Sequence, residues 1–209
     1  MSDLLENIDC VIFDFGEVLI ELDYPRIIAG FSLVAKRNEE EISELVVTAP
    51  LLQELEIGKI TPEEFRDGVN KLLGISLNEH DFNIIWNSML KNLPKERMDI
   101  LEKVNATFDT RILSNSNVIH EEAFNKMIEE VTGKSSLHEL VNKCYFSQDI
   151  GLRKPYRNCF EYVINDIGID PGKILFLDDR ADNIAGASET GMKTFLVSDA
   201  ETQLKELFN

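Results

Sequence analysis

Cysteine is scarce in this chain. Cys10, Cys144 and Cys159 are the only three among 209 residues, and no two stand in a C-x-x-C pair. An odd count without that spacing supports neither a disulfide framework nor a zinc site, and it fits reduced thiols in the cytoplasm. Basic charge is also short. Lysine and arginine total 21 against 38 aspartates and glutamates, a formal balance of −17. Such an excess repels polyphosphate backbones and anionic bilayers, so neither nucleic acid nor a membrane is an expected partner. Long apolar runs are missing as well: none approaches the roughly 20 residues that span a bilayer. The opening MSDLLENIDC is acidic and lacks the basic-then-apolar order of a signal peptide. The sequence therefore reads as cytoplasmic.

What is present is material for a core: 44% of the residues are hydrophobic. Short apolar runs read as buried strands at Asp9–Phe13, Thr110–Leu113, Lys143–Phe146, Lys173–Leu177 and Lys193–Val197. Helical patterns lie between the later ones, at Val118–Val131, Pro155–Ile167 and Ala181–Thr190. Alternation at this spacing predicts an α/β fold, a Rossmann-like parallel sheet with helices on both faces. One interval breaks the rhythm. From about Asp23 to Leu93 no strand is evident, and helices are expected near Tyr24–Arg37, Glu39–Val47, Pro50–Glu56, Thr61–Leu73 and Asn78–Leu90. Thr61-Pro62-Glu63-Glu64 is a strong helix start, while Gly58 and Gly74 read as helix stops. The expected division is a core of residues 1–21 and 94–209, interrupted by a helical cap over 22–93.

In an open parallel sheet, ligands bind beyond the carboxyl ends of the strands. Asp14-Phe15-Gly16-Glu17 comes after the first strand, and Ser114-Asn115 ends the second. Lys154-Pro155 comes after the third, and Asp178-Asp179 with Asp182 after the fourth. Each has a bland reading. Asp14 could cap a turn, Ser114 could start a loop, and Lys154 could be a solvated residue at a helix start. The adjacent carboxylates of Asp178 and Asp179 are harder to dismiss, because they repel unless a cation or donors hold them. Together the four strand ends would bring a carboxylate, a hydroxyl, a lysine and a carboxylate pair to one crevice, a set suited to phosphate and a hard divalent cation.

This arrangement resembles the haloacid dehalogenase superfamily of aspartate-nucleophile phosphatases over nearly the whole chain. FDFGEVLIELD, LSNSN, SQDIGLRKP and FLDDRADNIAGA are closest to its sugar-phosphatase branch, which includes α-D-glucose-1-phosphate phosphatase. The resemblance implies Asp14 as nucleophile and Lys154 as the balancing charge, with Ser114 and Asn115 on the phosphate. It implies Mg²⁺ held by Asp14, the Gly16 carbonyl, Asp178 and Asp179, and gives Asp182 a weaker claim to orient Lys154. The substrate would be a small phosphorylated metabolite, a sugar phosphate by preference.

One departure stands out. Most phosphatases of the superfamily carry a second Asp two positions after the nucleophile as general acid, and here that position is Gly16. Glu17 is one candidate substitute, though its neighbouring position could point it away. Two alternatives therefore stay open. One is a catalytically weak phosphate-binding or interaction protein. The other is a 2-haloacid dehalogenase, which would leave the Asp178-Asp179 pair without a purpose. Tyr24, Trp86 and the turn Glu56-Ile57-Gly58 are conceivable cap contacts to substrate, but bundle packing and a helix stop explain them more simply. His120 and His138 read as surface or core residues.

Overall fold

The computed structural model describes residues 4–47 and 50–208. The termini of the expected core segments, residues 1–3 and 209, lie outside the described residues. In chain order the strands are β1 (Cys10–Phe13), β2 (Glu21–Leu22), β3 (Leu90–Asn92), β4 (Asp109–Ser114), β5 (Lys143–Phe146), β6 (Ile174–Asp178) and β7 (Lys193–Leu196). Five helices fall between β2 and β3: α1 (Tyr24–Ala35), α2 (Glu39–Val47), α3 (Pro50–Glu56), α4 (Pro62–Leu73) and α5 (Glu79–Asn87). The rest are α6 (Lys95–Asn105), α7 (Val118–Thr132), α8 (Ser147–Ile150), α9 (Arg157–Ile167), α10 (Ala181–Ser188) and α11 (Ala200–Phe208).

The main sheet runs β5-β4-β1-β6-β7, and every pairing in it is parallel. β1 and β6 lie at its centre, and all their residues are buried. That double burial is why CVIF and ILFLD are continuous apolar runs with no alternation. The strand order reverses at β1 and β6. Their carboxyl ends, Asp14 and Asp178, therefore sit where a crevice opens in a doubly wound sheet. One face of the sheet packs Val11, Phe13 and Leu175 with α6, α7 and α11. The other packs Cys10, Ile12 and Phe176 with α9 and α10.

The helical cap has its own apolar cluster, centred on Phe31, Phe65, Phe82 and Trp86. α4 begins with a full capping box: the Glu64 N–H donates to Thr61 Oγ1 at 3.1 Å, and the Thr61 N–H donates to Glu64 Oε2 at 2.8 Å. It stops at Gly74, whose φ of +68° is left-handed. Ile119 of α7 joins this cluster, so the cap is packed onto the core. No helix among the described residues is long and apolar enough to cross a membrane.

The expectation of no strand between Asp23 and Leu93 is corrected. α5 ends at Asn87, and Leu90–Asn92 turns back to pair antiparallel with Glu21–Leu22. The ribbon's strands are only two and three residues long and only partly buried, so it leaves no periodic trace in the sequence. The pairing joins the two chain crossings between core and cap.

Candidate active site

Asp14 is fixed directly beyond β1, where its N–H donates to the Leu177 carbonyl at 2.8 Å. Asp178, the last residue of β6, is fully buried, and its carbonyl accepts the Val197 N–H at 2.9 Å. The sheet ladder thus sets the two acids side by side. Lys154 reaches them from the loop after α8. Its Nζ lies 2.9 Å from Asp14 Oδ1 and 2.6 Å from Asp178 Oδ2. Only 1% of Lys154 is exposed, so it is no solvated helix-start residue. Its Nζ also stands 5.3 Å from the Phe176 ring centre, over the ring.

Asn115 holds this lysine by its backbone. The Asn115 Nδ2 donates to the Lys154 carbonyl at 2.9 Å, and the Lys154 N–H donates to Asn115 Oδ1 at 2.9 Å. Ser147 braces the neighbouring loop: its Oγ accepts the Ser116 N–H at 3.0 Å and donates to the Ser116 carbonyl at 3.2 Å. Ser114 is buried at the end of β4. The peptide bond between Lys154 and Pro155 is cis, and α9 begins only at Arg157, two residues after the expected start.

Carboxylate oxygens of Asp14, Asp178 and Asp179 all lie within 4.8 Å of one another. Burial raises the Asp14 pKa, Asp178 raises it further, and Lys154 opposes both. Burial and then Asp178 push Asp179 up too. Burial works against the charge on Lys154, but Asp14 and Asp178 outweigh it and hold its pKa up. Three carboxylates against one ammonium leave two negative charges uncompensated. The donors are all oxygen, with no thiolate or imidazole among them. Charge and chemistry both fit a hard divalent cation such as Mg²⁺.

Gly16 has no side chain, and its surroundings leave little room for one. A Cβ there would lie 3.0 Å from Leu22 Cδ1. Leu22 belongs to the β2–β3 ribbon and packs into both the core and the cap clusters. The Gly16 carbonyl accepts the Val18 N–H at 2.6 Å, with a second lone pair left for a ligand. Glu17, at φ +56°, turns its Oε1 to accept the Leu22 N–H at 2.9 Å, so that carboxylate ties down the ribbon.

Asp182 does not orient Lys154. It forms a fork with Arg180, at 3.1 Å to Nε and 2.8 Å to NH2. The orienting work falls to Asn183, which sequence reasoning missed. Its Nδ2 lies 2.9 and 3.0 Å from the two Asp178 oxygens, and the Arg180 N–H donates to Asp178 Oδ1 at 2.9 Å. An Asn in the first turn of a helix gives no signal of its own. Tyr24 is a second revision. It is 60% exposed, and it does not pack inside the bundle. Crowding around the phenol, then the charges of Asp14, Asp179, Glu17 and Glu56, push its pKa up to about 12. Trp86 is a packing residue, 3% exposed. His120 is buried and stacked on it with ring centres 5.3 Å apart, whereas His138 is half-exposed.

Residues 8–191 match the model of the haloacid dehalogenase-like hydrolases. The chain belongs to that family. A D-ribitol-5-phosphate phosphatase of Bacteroides thetaiotaomicron is 26% identical, over 94% of this chain and 95% of its own. A solved structure of a haloacid dehalogenase family enzyme from the same organism superposes with a TM-score of 0.88 at 31% identity, covering 97% of this chain and 98% of that one. A complex of such an enzyme with magnesium and inorganic phosphate superposes at 0.81, with 29% identity over 94% and 98% of the two chains.

Proposed function

We propose that this hydrolase is a Mg²⁺-dependent phosphatase of small phosphate monoesters, sugar or polyol phosphates by preference, working through an aspartyl-phosphate on Asp14. One observation carries the reading: the Lys154 ammonium touches Asp14 and Asp178 at once, 2.9 and 2.6 Å away, with Asp179 alongside. Asp14, Asp178, Asp179 and the Gly16 carbonyl would hold the cation. Bound there, it supplies the positive charge that lets a carboxylate approach a phosphate dianion.

The chain's own residues do the rest. An Asp14 oxygen attacks phosphorus, the bond from phosphorus to the ester oxygen breaks, and the leaving oxygen departs as an alkoxide or aryloxide that takes its proton from water. Water then attacks the acyl phosphate, which releases inorganic phosphate and restores Asp14. Lys154 balances the charge that gathers on nucleophile and phosphoryl oxygens, and the Asn115 clamp keeps it in place. Ser114 and the Asn115 N–H would hold phosphate oxygens. Dehalogenation is the poorer reading, because attack on carbon would leave Asp178 and Asp179 idle.

The test is hydrolysis of D-ribitol 5-phosphate and p-nitrophenyl phosphate by wild type and Asp14→Asn, each with Mg²⁺ and with EDTA. Turnover in wild type with Mg²⁺ alone is expected, and Asp14→Asn should lose at least about 10⁴-fold. Hydrolysis that survives in Asp14→Asn would overturn the nucleophile. Since Gly16 supplies no acid, the aryl ester should react faster than the alkyl one. Equal rates would mean that another group protonates the leaving oxygen.

A further inference from the structure

Two elements hold the loop that carries Lys154. On one side Asn115 bonds both polar groups of the Lys154 backbone. On the other lies α10, at Gly186. A Cβ built on Gly186 would stand 2.5 Å from the Pro155 carbonyl oxygen and 2.9 Å from Phe160 Cε2. Non-bonded heavy atoms pack at about 3.5 Å, so a side chain here would force helix and loop apart by up to about 1 Å. A glycine inside a helix costs stability relative to alanine, and this close approach is the reason for one. Gly186 stands one turn after Asn183, whose Nδ2 grips both oxygens of Asp178. One face of α10 thus meets both members of the buried ion pair: the acid through Asn183, and the loop of the lysine through Gly186.

The surroundings make the loop the part that gives. Phe160 and Phe176 are fully buried and meet edge to face, with ring centres 5.6 Å apart. Phe176 is also the ring beneath the Lys154 ammonium. The Phe160 ring therefore cannot swing aside without disturbing the packing under that ammonium. α10 is anchored by Ala187, fully buried in the same cluster. Pro155 belongs to no helix or strand. A methyl group on residue 186 would push on the residue next to Lys154 and draw its Nζ off the contacts at 2.9 and 2.6 Å with Asp14 and Asp178.

We propose that Gly186 is a positioning residue: its bare backbone lets the Lys154–Pro155 loop close on α10, and so sets the Lys154 ammonium between Asp14 and Asp178. For what the ammonium does, the proposal rests on the phosphatase reading above and deepens it. The placement itself needs no substrate.

The experiment is a double-mutant cycle of Gly186→Ala and Lys154→Met, with Gly68→Ala as control. Gly68 also lies inside a helix, α4 of the cap, where a Cβ would first meet the end of the Leu51 side chain, at 2.8 Å. Turnover of p-nitrophenyl phosphate is measured at saturating Mg²⁺, and urea midpoints in EDTA. Gly186→Ala should lower kcat by about tenfold or more, since a misplacement of about 1 Å costs up to about 10²-fold. Gly68→Ala should stay within about twofold of wild type. With Lys154→Met already present, Gly186→Ala should cost less than about twofold more, because the group it places is gone. The urea midpoint should likewise fall further for Gly186→Ala in wild type than in Lys154→Met, whereas a mere clash would lower both alike. A folded Gly186→Ala with kcat within about twofold of wild type, or equal midpoint shifts in the two backgrounds, would overturn the proposal. Should Gly186→Ala not fold, Phe160→Leu/Gly186→Ala opens the ring side and keeps the Pro155 contact, and the same cycle is read against Phe160→Leu. A wild type that hydrolyses no ester would fail the phosphatase reading on its own, and the urea midpoints then decide on Gly186.

Discussion

The floor of the crevice and its roof are built on opposite principles. The floor is charged, buried and rigid. Asp14, Asp178 and Lys154 are 7%, 0% and 1% exposed, and each is fixed by sheet or side-chain hydrogen bonds. The roof is an apolar helix cluster whose contacts with the core include the Glu56–Arg153 pair, the close approach at Gly58, the stack of Trp86 on His120 and the pairing of Asn87 with His120. A buried charge cluster cannot move without leaving ions unpaired in a poor solvent for them. An apolar helix cluster depends instead on burial and shape. The contrast fits the proposed phosphatase, whose chemistry needs preorganised charge.

The largest test of this contrast is Lys154→Met. It removes the only ammonium bonded to Asp14 and Asp178 among the described residues. Turnover should fall by about 10²–10³-fold. In EDTA, stability should drop by about 3 kcal/mol or more, the cost of breaking a buried pair. Mg²⁺ should restore part of that, because a cation at the same acids replaces the lost charge. Melting with and without Mg²⁺ reads it. An identical loss in both would mean that lysine and cation do not share one cluster.

Much of the floor was legible in the sequence, for a physical reason. Strands buried on both faces must be unbroken apolar runs, and the residue that comes after such a run is held at the sheet's edge. Asp14, Lys154 and Asp178 can therefore be expected at one end of the sheet, and the structure brings them into contact. The cap helices were legible from local chemistry, as at Thr61 and Gly74. The hidden part depends on neighbours distant in sequence. The β2–β3 ribbon is too short to carry a period. Asn183 and Arg153 look like ordinary helix-start or loop residues until the fold sets them beside Asp178 and Glu56. A motif alone directs Asp182 toward Lys154, while the structure gives it Arg180.

A smaller effect is expected from Gly58→Ala set against Gly74→Ala. Both glycines have left-handed backbones, φ +66° and +68°. A Cβ at position 74 meets nothing nearer than Arg37 NH2 at 3.9 Å, but at position 58 it meets the Gln148 carbonyl at 2.5 Å. Each variant should lose about 1 kcal/mol from the backbone alone. Only Gly58→Ala should also lift the roof, with a fall in kcat/KM of about tenfold or more. If both variants kept full activity, the seating of this turn would not matter to catalysis.

A third test separates roof from floor by pH. His120 belongs to α7 of the core, yet its ring stacks on Trp86 of the cap, and its Nδ1 lies 2.9 Å from Asn87 Oδ1. Burial pushes its pKa down to about 3. An unfolded histidine titrates near 6.5, so the fold binds the neutral ring better than the charged one. This contribution is therefore complete above about pH 6.5 and is lost progressively as pH falls from there toward about 3, amounting to about 2 kcal/mol by about pH 5. His120→Gln removes the titration and keeps a polar group facing Asn87. Urea unfolding of wild type and variant at about pH 7 and pH 5 isolates the difference, because the carboxylates shared by both proteins cancel. Wild type should lose more stability on acidification than the variant. Equal losses would show that the ring can be protonated in place, and that this contact between roof and floor is looser than its stacking suggests.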